Sequence, residues 1–436
     1  MAELPEGLSE DALKAAWASA GDGPLLIALS GGGDSVSLLH ALAASGPRER
    51  LIACVIDHGV RAEAANEARL AASFAERAGV RAIVEKLGAL KKVSQETLRR
   101  ARYMRLCAVA RAHGGKAIAA GHTRDDQAET LYMRASRNAD DADLAGQISR
   151  TQPDAAFAAR VREERADWRG LAGMAPIAPA PLWPEGLNLT LTRPLLATHR
   201  RALRNWLGAR GLEWIEDPSN ENDAFERVRA RRALVESPEL ADRLADLAAL
   251  LRPFAAEDDR EARAWLKDAV TLEADHVVLR TYGGAGRATR LRAIAALCAA
   301  VAGRNPTPDL GRVSALLDEL ERGQFRGATF SGVRLRPVAG GVRFCRDSGE
   351  VHGRRGRPGL RRVTLAAGEV CVWDNRVEIT ANETVTLAVH HHDTGAPVVL
   401  TPEGEEWRLH AAEAQGRIRA RWLIEPHISH ILFTPL

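Results

Sequence analysis

Cysteine and lysine are scarce in this 436-residue chain. Its five cysteines, Cys54, Cys107, Cys298, Cys345 and Cys371, are odd in number and include no Cys-x-x-Cys pair. That argues against a disulfide framework and a thiolate zinc site, and fits a reducing cytoplasm. No apolar run approaches the roughly 20 residues of a membrane span, and the N-terminus lacks the basic start and apolar core of an export signal. A soluble cytoplasmic protein that does not engage a membrane is expected. Only 6 of the 60 basic residues are Lys, leaving 54 Arg. Arg suits bidentate phosphate contacts and base stacking, although a GC-rich genome produces the same bias. The formal charge is only +3. The length accommodates two to three domains at roughly 150 residues each.

The most informative segment is Ser30-Gly31-Gly32-Gly33-Asp34-Ser35, set between the apolar run Leu25 to Leu29 and the helix-patterned Val36 to Ala44. A strand, a glycine turn and a helix start make a cradle for phosphate, because backbone N–H groups converge there and the helix N-terminus adds partial positive charge. An ordinary β-to-α turn needs fewer glycines. A kinase- or GTPase-type loop ends in Gly-Lys-Ser/Thr, yet no Lys lies between Lys14 and Lys86. γ-Phosphoryl transfer is therefore not expected.

Strand patterns at Leu25 to Ser30, Leu51 to Asp57, Arg81 to Leu87 and Lys116 to Gly121 alternate with helical patterns at Val36 to Ala44, Glu63 to Ala78, Ser94 to His113 and Thr123 to Ala135. This order predicts an α/β domain with a parallel sheet, whose right-handed crossovers bring the glycine turn, Asp57-His58-Gly59 and Gly121-His122 to one edge. Residues Asn138 to Trp168 read as an insertion or mobile excursion, and Pro176 to Pro184 as a loop. The α/β character returns in Leu189 to Leu196, the helix Thr198 to Arg210, and Leu212 to Glu216. The turn Pro218-Ser219-Asn220 marks the exit. Three domains are expected: 1–217, a helical 218–321 and a small α+β 322–436.

The second informative segment runs from Gly121 to Thr130, with His122, Asp126 and Glu129 at spacings of four and three. A helix starting after Thr123 gathers them on one face. Taken alone, Thr123 with Asp126 also resembles a capping box, and first-turn acids also satisfy the helix dipole. The glycine loop on the neighbouring strand end favours a joint chemical site.

The Ser-Gly-Gly-x-Asp-Ser loop resembles the PP-loop of ATP-dependent adenylating enzymes, the N-type ATP pyrophosphatases, whose domain is adenine nucleotide alpha hydrolase-like. Gly-His-x-x-Asp-Asp-x-x-Glu-Thr resembles the tRNA(Ile)-lysidine synthase family within them. Supporting matches are Asp57-His58-Gly59-Val60-Arg61, Arg102-Tyr103, Gly170-Leu171-Ala172-Gly173-Met174, Arg193-Pro194-Leu195, Glu216-Asp217-Pro218-Ser219-Asn220, and Arg227-x-Arg229-x-Arg231. They span most of residues 25–232.

The resemblance implies a cytoplasmic ligase that forms a carbon–nitrogen bond between L-lysine and the wobble cytidine of the isoleucine tRNA with a CAU anticodon. ATP adenylates the base, pyrophosphate leaves, and the lysine amine displaces AMP. Ser30, Gly31, Gly32, Gly33, Asp34 and Ser35 would bind ATP, with Asp34 near phosphate through Mg2+. Arg102 and His122 would steady charge at the α-phosphate and the activated base, Asp126 and Glu129 would hold the cationic lysine, and Arg231 would reach the reaction centre or the tRNA. A homodimer is compatible with the resemblance.

Two features depart from the family. Its Arg-Gly-Ser-Gly segment is missing after Arg137, and Val228 stands where Asn is common. In the C-terminal half, Arg322, Arg326, Arg334, Arg336, Arg343, Arg346, Arg354, Arg355, Arg357, Arg361 and Arg362 form a basic stretch suited to tRNA phosphates. Phe325, Phe344 and Trp373 read as core rather than stacking platforms. The run His390-His391-His392 offers metal-ligating side chains, but adjacent residues point in different directions, and no metal site is expected there. Alternatives are a tRNA thiolase, a small-molecule amidating synthetase, and a nucleotide-sensing RNA-binding protein without catalysis.

Overall fold

The computed structural model describes residues 3–59, 64–88, 94–135, 141–165, 168–216, 226–273, 275–305, 307–354, 356–389 and 396–433. Two compact units divide it, 1–255 and 256–434. Among the described residues no helix is long and apolar enough to cross a membrane.

The first unit opens with α1 (Glu10–Ala20), β1 (Leu25–Ala28), α2 (Gly33–Ser45), β2 (Leu51–Asp57), α3 (Ala64–Arg77), β3 (Arg81–Lys86), α4 (Gln95–Ala112), β4 (Ala117–Ala119) and α5 (Arg124–Ala135). Every residue of β1 is buried, as expected of a parallel strand covered on both faces. Leu25, Ile27 and Leu29 enter one core with α1, α2 and α3, while Leu26 and Ala28 enter another with Tyr103, Leu106 and Val109 of α4. β1 pairs in parallel with β2 and with β4, Leu26 lying level with both Ile52 and Ile118. The strand order therefore reverses between β1 and β4, and ligands bind such sheets in the crevice at that point.

The chain continues through α6 (Asp141–Arg150), α7 (Ala155–Glu164), α8 (Trp168–Leu171), β5 (Ile177–Pro179), β6 (Thr190–Thr192) and α9 (Arg200–Gly208). The sheet order is β3-β2-β1-β4-β6-β5, with β5 the antiparallel edge. The expected excursion at 138–168 is instead largely two packed helices. Leu144 with Ile148 and Phe157 with Val161 each recur one turn apart and are buried. The expected Pro-rich loop contains β5, and Leu212 to Glu216 forms no strand; there the Ile215 N–H donates to Gly31 O at 2.9 Å.

The expected boundary at 217 lies outside the described residues. The first unit reaches 255 because α10 (Glu226–Val235) and the start of α11 (Pro238–Ala269) place Leu234, Leu244, Leu247 and Leu251 in one core with Ala128 and Leu131 of α5.

In the second unit the stretch expected to be helical also contains strands. β7 (Val270–Leu272) and β8 (His276–Leu279) precede α12 (Arg287–Ala302) and α13 (Leu310–Glu321), then join β9 (Ala328–Phe330), β10 (Val333–Val338) and β11 (Gly341–Arg346) in an antiparallel sheet ordered β7-β8-β11-β10-β9. Three smaller sheets, of two, four and three strands, follow among the described residues. The turn between strands Val370–Trp373 and Val377–Ala381 carries Asp374 and Asn375 at φ 48° and 57°. It delivers Asp374 to two arginines: Arg346 Nε and Nη2 donate to its two oxygens at 2.9 and 3.1 Å, and Arg376 Nε donates at 2.8 Å. Arg376 is 0% exposed and Asp374 5%. The expected tRNA-facing Arg346 is thus committed to the interior. Phe325, Phe344 and Trp373 are buried. His390-His391-His392 and Arg355 lie outside the described residues.

Candidate active site

The glycine turn is held open from within. Ser35 Oγ donates to Gly32 O at 2.9 Å and accepts from the Ser30 N–H at 3.2 Å, so that hydroxyl braces the loop. Gly31 has φ +85°, and a Cβ there would lie 2.7 Å from Ile215 Cδ1. Only glycine fits such a conformation and approach. α2 starts at Gly33, its N-cap Gly32 offering no side-chain cap. The first amides of the helix therefore point at a place an anion can occupy.

Gly121, at the end of β4, comes so near that a Cβ would meet Asp34 O and Ser35 N at 3.1 Å. This close approach brings His122 and α5 to the loop. Asp126 Oδ2 accepts from the Thr123 N–H at 2.7 Å and Thr123 Oγ1 at 2.9 Å, closing the first turn of α5. The capping reading of Asp126 therefore holds, and its other oxygen, Oδ1, is left to face arginines.

Three guanidiniums converge on the carboxylates. Arg227 Nη2 reaches Asp126 Oδ1 and its Nε reaches Glu129 Oε2, both at 2.7 Å, while Arg231 Nε reaches Glu129 Oε1 at 2.7 Å. Arg200, at the start of α9, touches all three acids: Nε to Asp34 Oδ2 at 3.0 Å, Nη2 to Asp126 Oδ1 at 3.2 Å, and Nη1 to Glu129 Oε1 at 3.4 Å. Burial pushes the Asp126 carboxyl up, but Arg200, Arg227, His122 and the Thr123 amide overcome it and hold it at about 2. Burial raises Asp34 despite Arg200.

Sequence reasoning read Thr198 to Arg210 only as a helix of the α/β domain and did not single out Arg200. A signal was present. Arg200 and Arg201 occupy the first turn of α9 with no acidic residue there, against the helix dipole, so a carboxylate from elsewhere was needed. Asp125 Oδ2 accepts the Arg200 N–H at 2.8 Å, and Asp34, Asp126 and Glu129 take the side chain.

These groups border a cleft of about 400 Å3, lined also by Arg99, Arg102 and His122, a size ordinary for small-molecule sites. Arg102 stands 5.7 Å from the centre of the buried Tyr103 ring. A second cleft, of about 600 Å3, includes Glu129 and shares Arg200, Arg204 and Arg231 with the first.

His122 is neutral at physiological pH. Burial, reinforced by Arg193, Arg102 and Arg227 and opposed by Asp126, lowers it to about 3. Since the folded value lies below the unfolded one, near 6.5, its contribution to stability is full above about pH 6.5 and is lost as pH falls toward 3. Nitrogen NMR of labelled His122 is expected to show a neutral ring down to pH 5; a ring titrating near 6.5 would contradict this.

Asp34 Oδ1 is buried and, among the described residues, accepts no hydrogen bond. An anionic oxygen without a donor suits a divalent cation shared with phosphate. No group of three or more His, Cys, Asp or Glu forms a metal cage among the described residues, so Mg2+ here would be held by Asp34 and nucleotide oxygens.

A family model described as a PP-loop domain matches residues 6–238. Proteins named tRNA(Ile)-lysidine synthase are similar over most of the chain. The one from Hyphomonas neptunium is 34% identical across 72% of this chain and 79% of its own length. That from Mesorhizobium japonicum is 35% identical across 82% and 72%, and that from Caulobacter vibrioides 31% across 84% and 76%. The glycine turn lies at the strand reversal and faces His122 and Asp126, the PP-loop domain model matches more than half of the chain, and the named relatives match most of it: the chain belongs to the tRNA(Ile)-lysidine synthase family of PP-loop proteins.

Proposed function

We propose that this chain joins L-lysine to the wobble cytidine of the isoleucine tRNA with a CAU anticodon, using ATP. It is a ligase that forms a carbon–nitrogen bond. The observation that carries the reading is the single cleft in which the glycine turn faces His122, Asp126 and the arginines of α9 and α10.

In this reading the amides at Gly32 and Gly33 and the start of α2 receive the phosphates. Mg2+ on Asp34 would offset charge on the leaving pyrophosphate. The cytidine 2-oxygen attacks the α-phosphorus and pyrophosphate departs. The lysine ε-nitrogen then attacks C2, the C2–O bond breaks, AMP leaves with that oxygen, and the amine gives up its protons. Arg102 faces the developing phosphate charge and the neutral His122 offers one hydrogen bond to the base or phosphate. Asp126 and Glu129 receive the amine. A free lysine amine titrates near 10.4, so the acids receive it as an ammonium and it must lose a proton before it attacks.

For the tRNA, Arg336 and Arg343 stand directly opposite on β10 and β11, both exposed. Like charges so placed repel, and a phosphate between them relieves the repulsion. Arg354 pairs with Asp347 instead. Thiolase chemistry is disfavoured: burial pushes the Cys54, Cys107 and Cys298 thiols up to about 12, which opposes the thiolate form.

The test incubates the protein with ATP, radiolabelled lysine and the isoleucine tRNA transcript. Label retained on the tRNA with stoichiometric AMP release is expected. No transfer, or equal transfer to a transcript lacking the wobble cytidine, would overturn the reading.

A further inference from the structure

Arg200 lines both clefts. One guanidinium meets Asp34 of the phosphate loop and Asp126 and Glu129 of α5. Counting Arg227 and Arg231, three carboxylates face three guanidiniums. Glu129 is 2% exposed and Arg200 16%, so water screens this balance poorly.

We propose that Arg200 is a positioning residue that couples nucleotide binding to amine binding. A cationic amine arriving alone must enter a cluster whose acids are already satisfied, leaving an uncompensated positive charge. A polyphosphate arriving alone leaves excess negative charge beside Asp34. Together they restore the balance: phosphate oxygens take over the Arg200 guanidinium, and the acids it leaves receive the ammonium. Each ligand therefore strengthens the other, by the same factor in both directions.

This rests on the reading that the acids receive lysine, and its test separates the two. The same preparation is first assayed for label transfer to tRNA; no transfer overturns the functional reading and this inference with it. Lysine binding is then measured by calorimetry with and without Mg2+ and an ATP analogue bearing a methylene bridge between the α- and β-phosphates. In the wild type the analogue is expected to tighten lysine binding about tenfold or more, within the usual range of site–site coupling. Arg200→Gln removes one positive charge. Lysine alone is then expected to bind about threefold tighter than to the wild type, the analogue alone about threefold weaker, and the coupling to fall below about twofold.

These opposite signs separate a charge role from structural damage, which weakens both ligands. Arg200→Lys keeps the charge and is expected to retain coupling within about threefold of the wild type. Thermal melting checks that each variant folds. Wild-type coupling below about twofold overturns the inference whichever variant folds. So does a folded Arg200→Gln that couples as the wild type does, or that loses affinity for both ligands alike.

Discussion

Replacing Glu129 with Gln is expected to lower kcat/KM for lysine by about 100-fold, with the KM for ATP changing by less than about fivefold. The Glu129 side chain is 2% exposed, and its two oxygens accept from Arg227, Arg231 and Arg200. A Gln keeps the shape but sets an NH2 group against guanidinium donors and removes the charge that would hold an ammonium. Truncating one member of a buried, hydrogen-bonded charge pair costs roughly 2–5 kcal/mol, and 100-fold corresponds to about 2.7 kcal/mol. Glu129 makes no hydrogen bond to the phosphate loop, so the penalty falls on the amine. Steady-state rates with lysine and ATP varied separately decide it. Equal losses for both substrates would make Glu129 a scaffold residue and withdraw its assignment to the amine.

The largest loss of stability is expected from Asp374→Asn. The carboxylate lies between Arg346 and Arg376, with all three side chains at most 6% exposed. Asn can satisfy part of the hydrogen bonding but leaves two buried guanidiniums facing each other, and burial, opposed by Asp374 and reinforced by Arg346, already pushes the Arg376 guanidinium down. Breaking a buried pair by removing one partner costs about 3–5 kcal/mol. For a unit of this size, each kcal/mol corresponds to roughly 2–4 °C. Calorimetry should therefore show the transition of the second unit falling by about 10 °C. A shift under about 2 °C would mean that the arginines find other partners.

How far the sequence could be read follows from how local each feature is. The glycine turn and the segment Gly121 to Thr130 are contiguous, and their spacing already specifies a strand end, a turn and a helix face. Arg200 belongs to the cluster through helices distant in the chain, so its partners become visible only once α5 and α9 are side by side. The helices α6 and α7 were masked by composition. Ala, Asp and Arg dominate there, and the apolar pairs Leu144 with Ile148 and Phe157 with Val161 are the residues that bind them to the core. β7 and β8, at three and four residues, carry too little alternation to stand out between two long helices. The run of C-terminal arginines looked uniform as text, yet Arg346 is an internal counter-ion while Arg336 and Arg343 face outward.

Asp126 holds the first turn of α5 through Thr123 with one oxygen and faces the arginines with the other. For anyone evolving this enzyme toward a different amine, that double duty makes position 126 close to immutable. A library there would confound lost folding with altered specificity, and survivors would be enriched for Asp whatever amine was selected. Diversity is better placed at position 129 and on the facing arginines of α9 and α10, where a changed charge pattern need not uncap a helix.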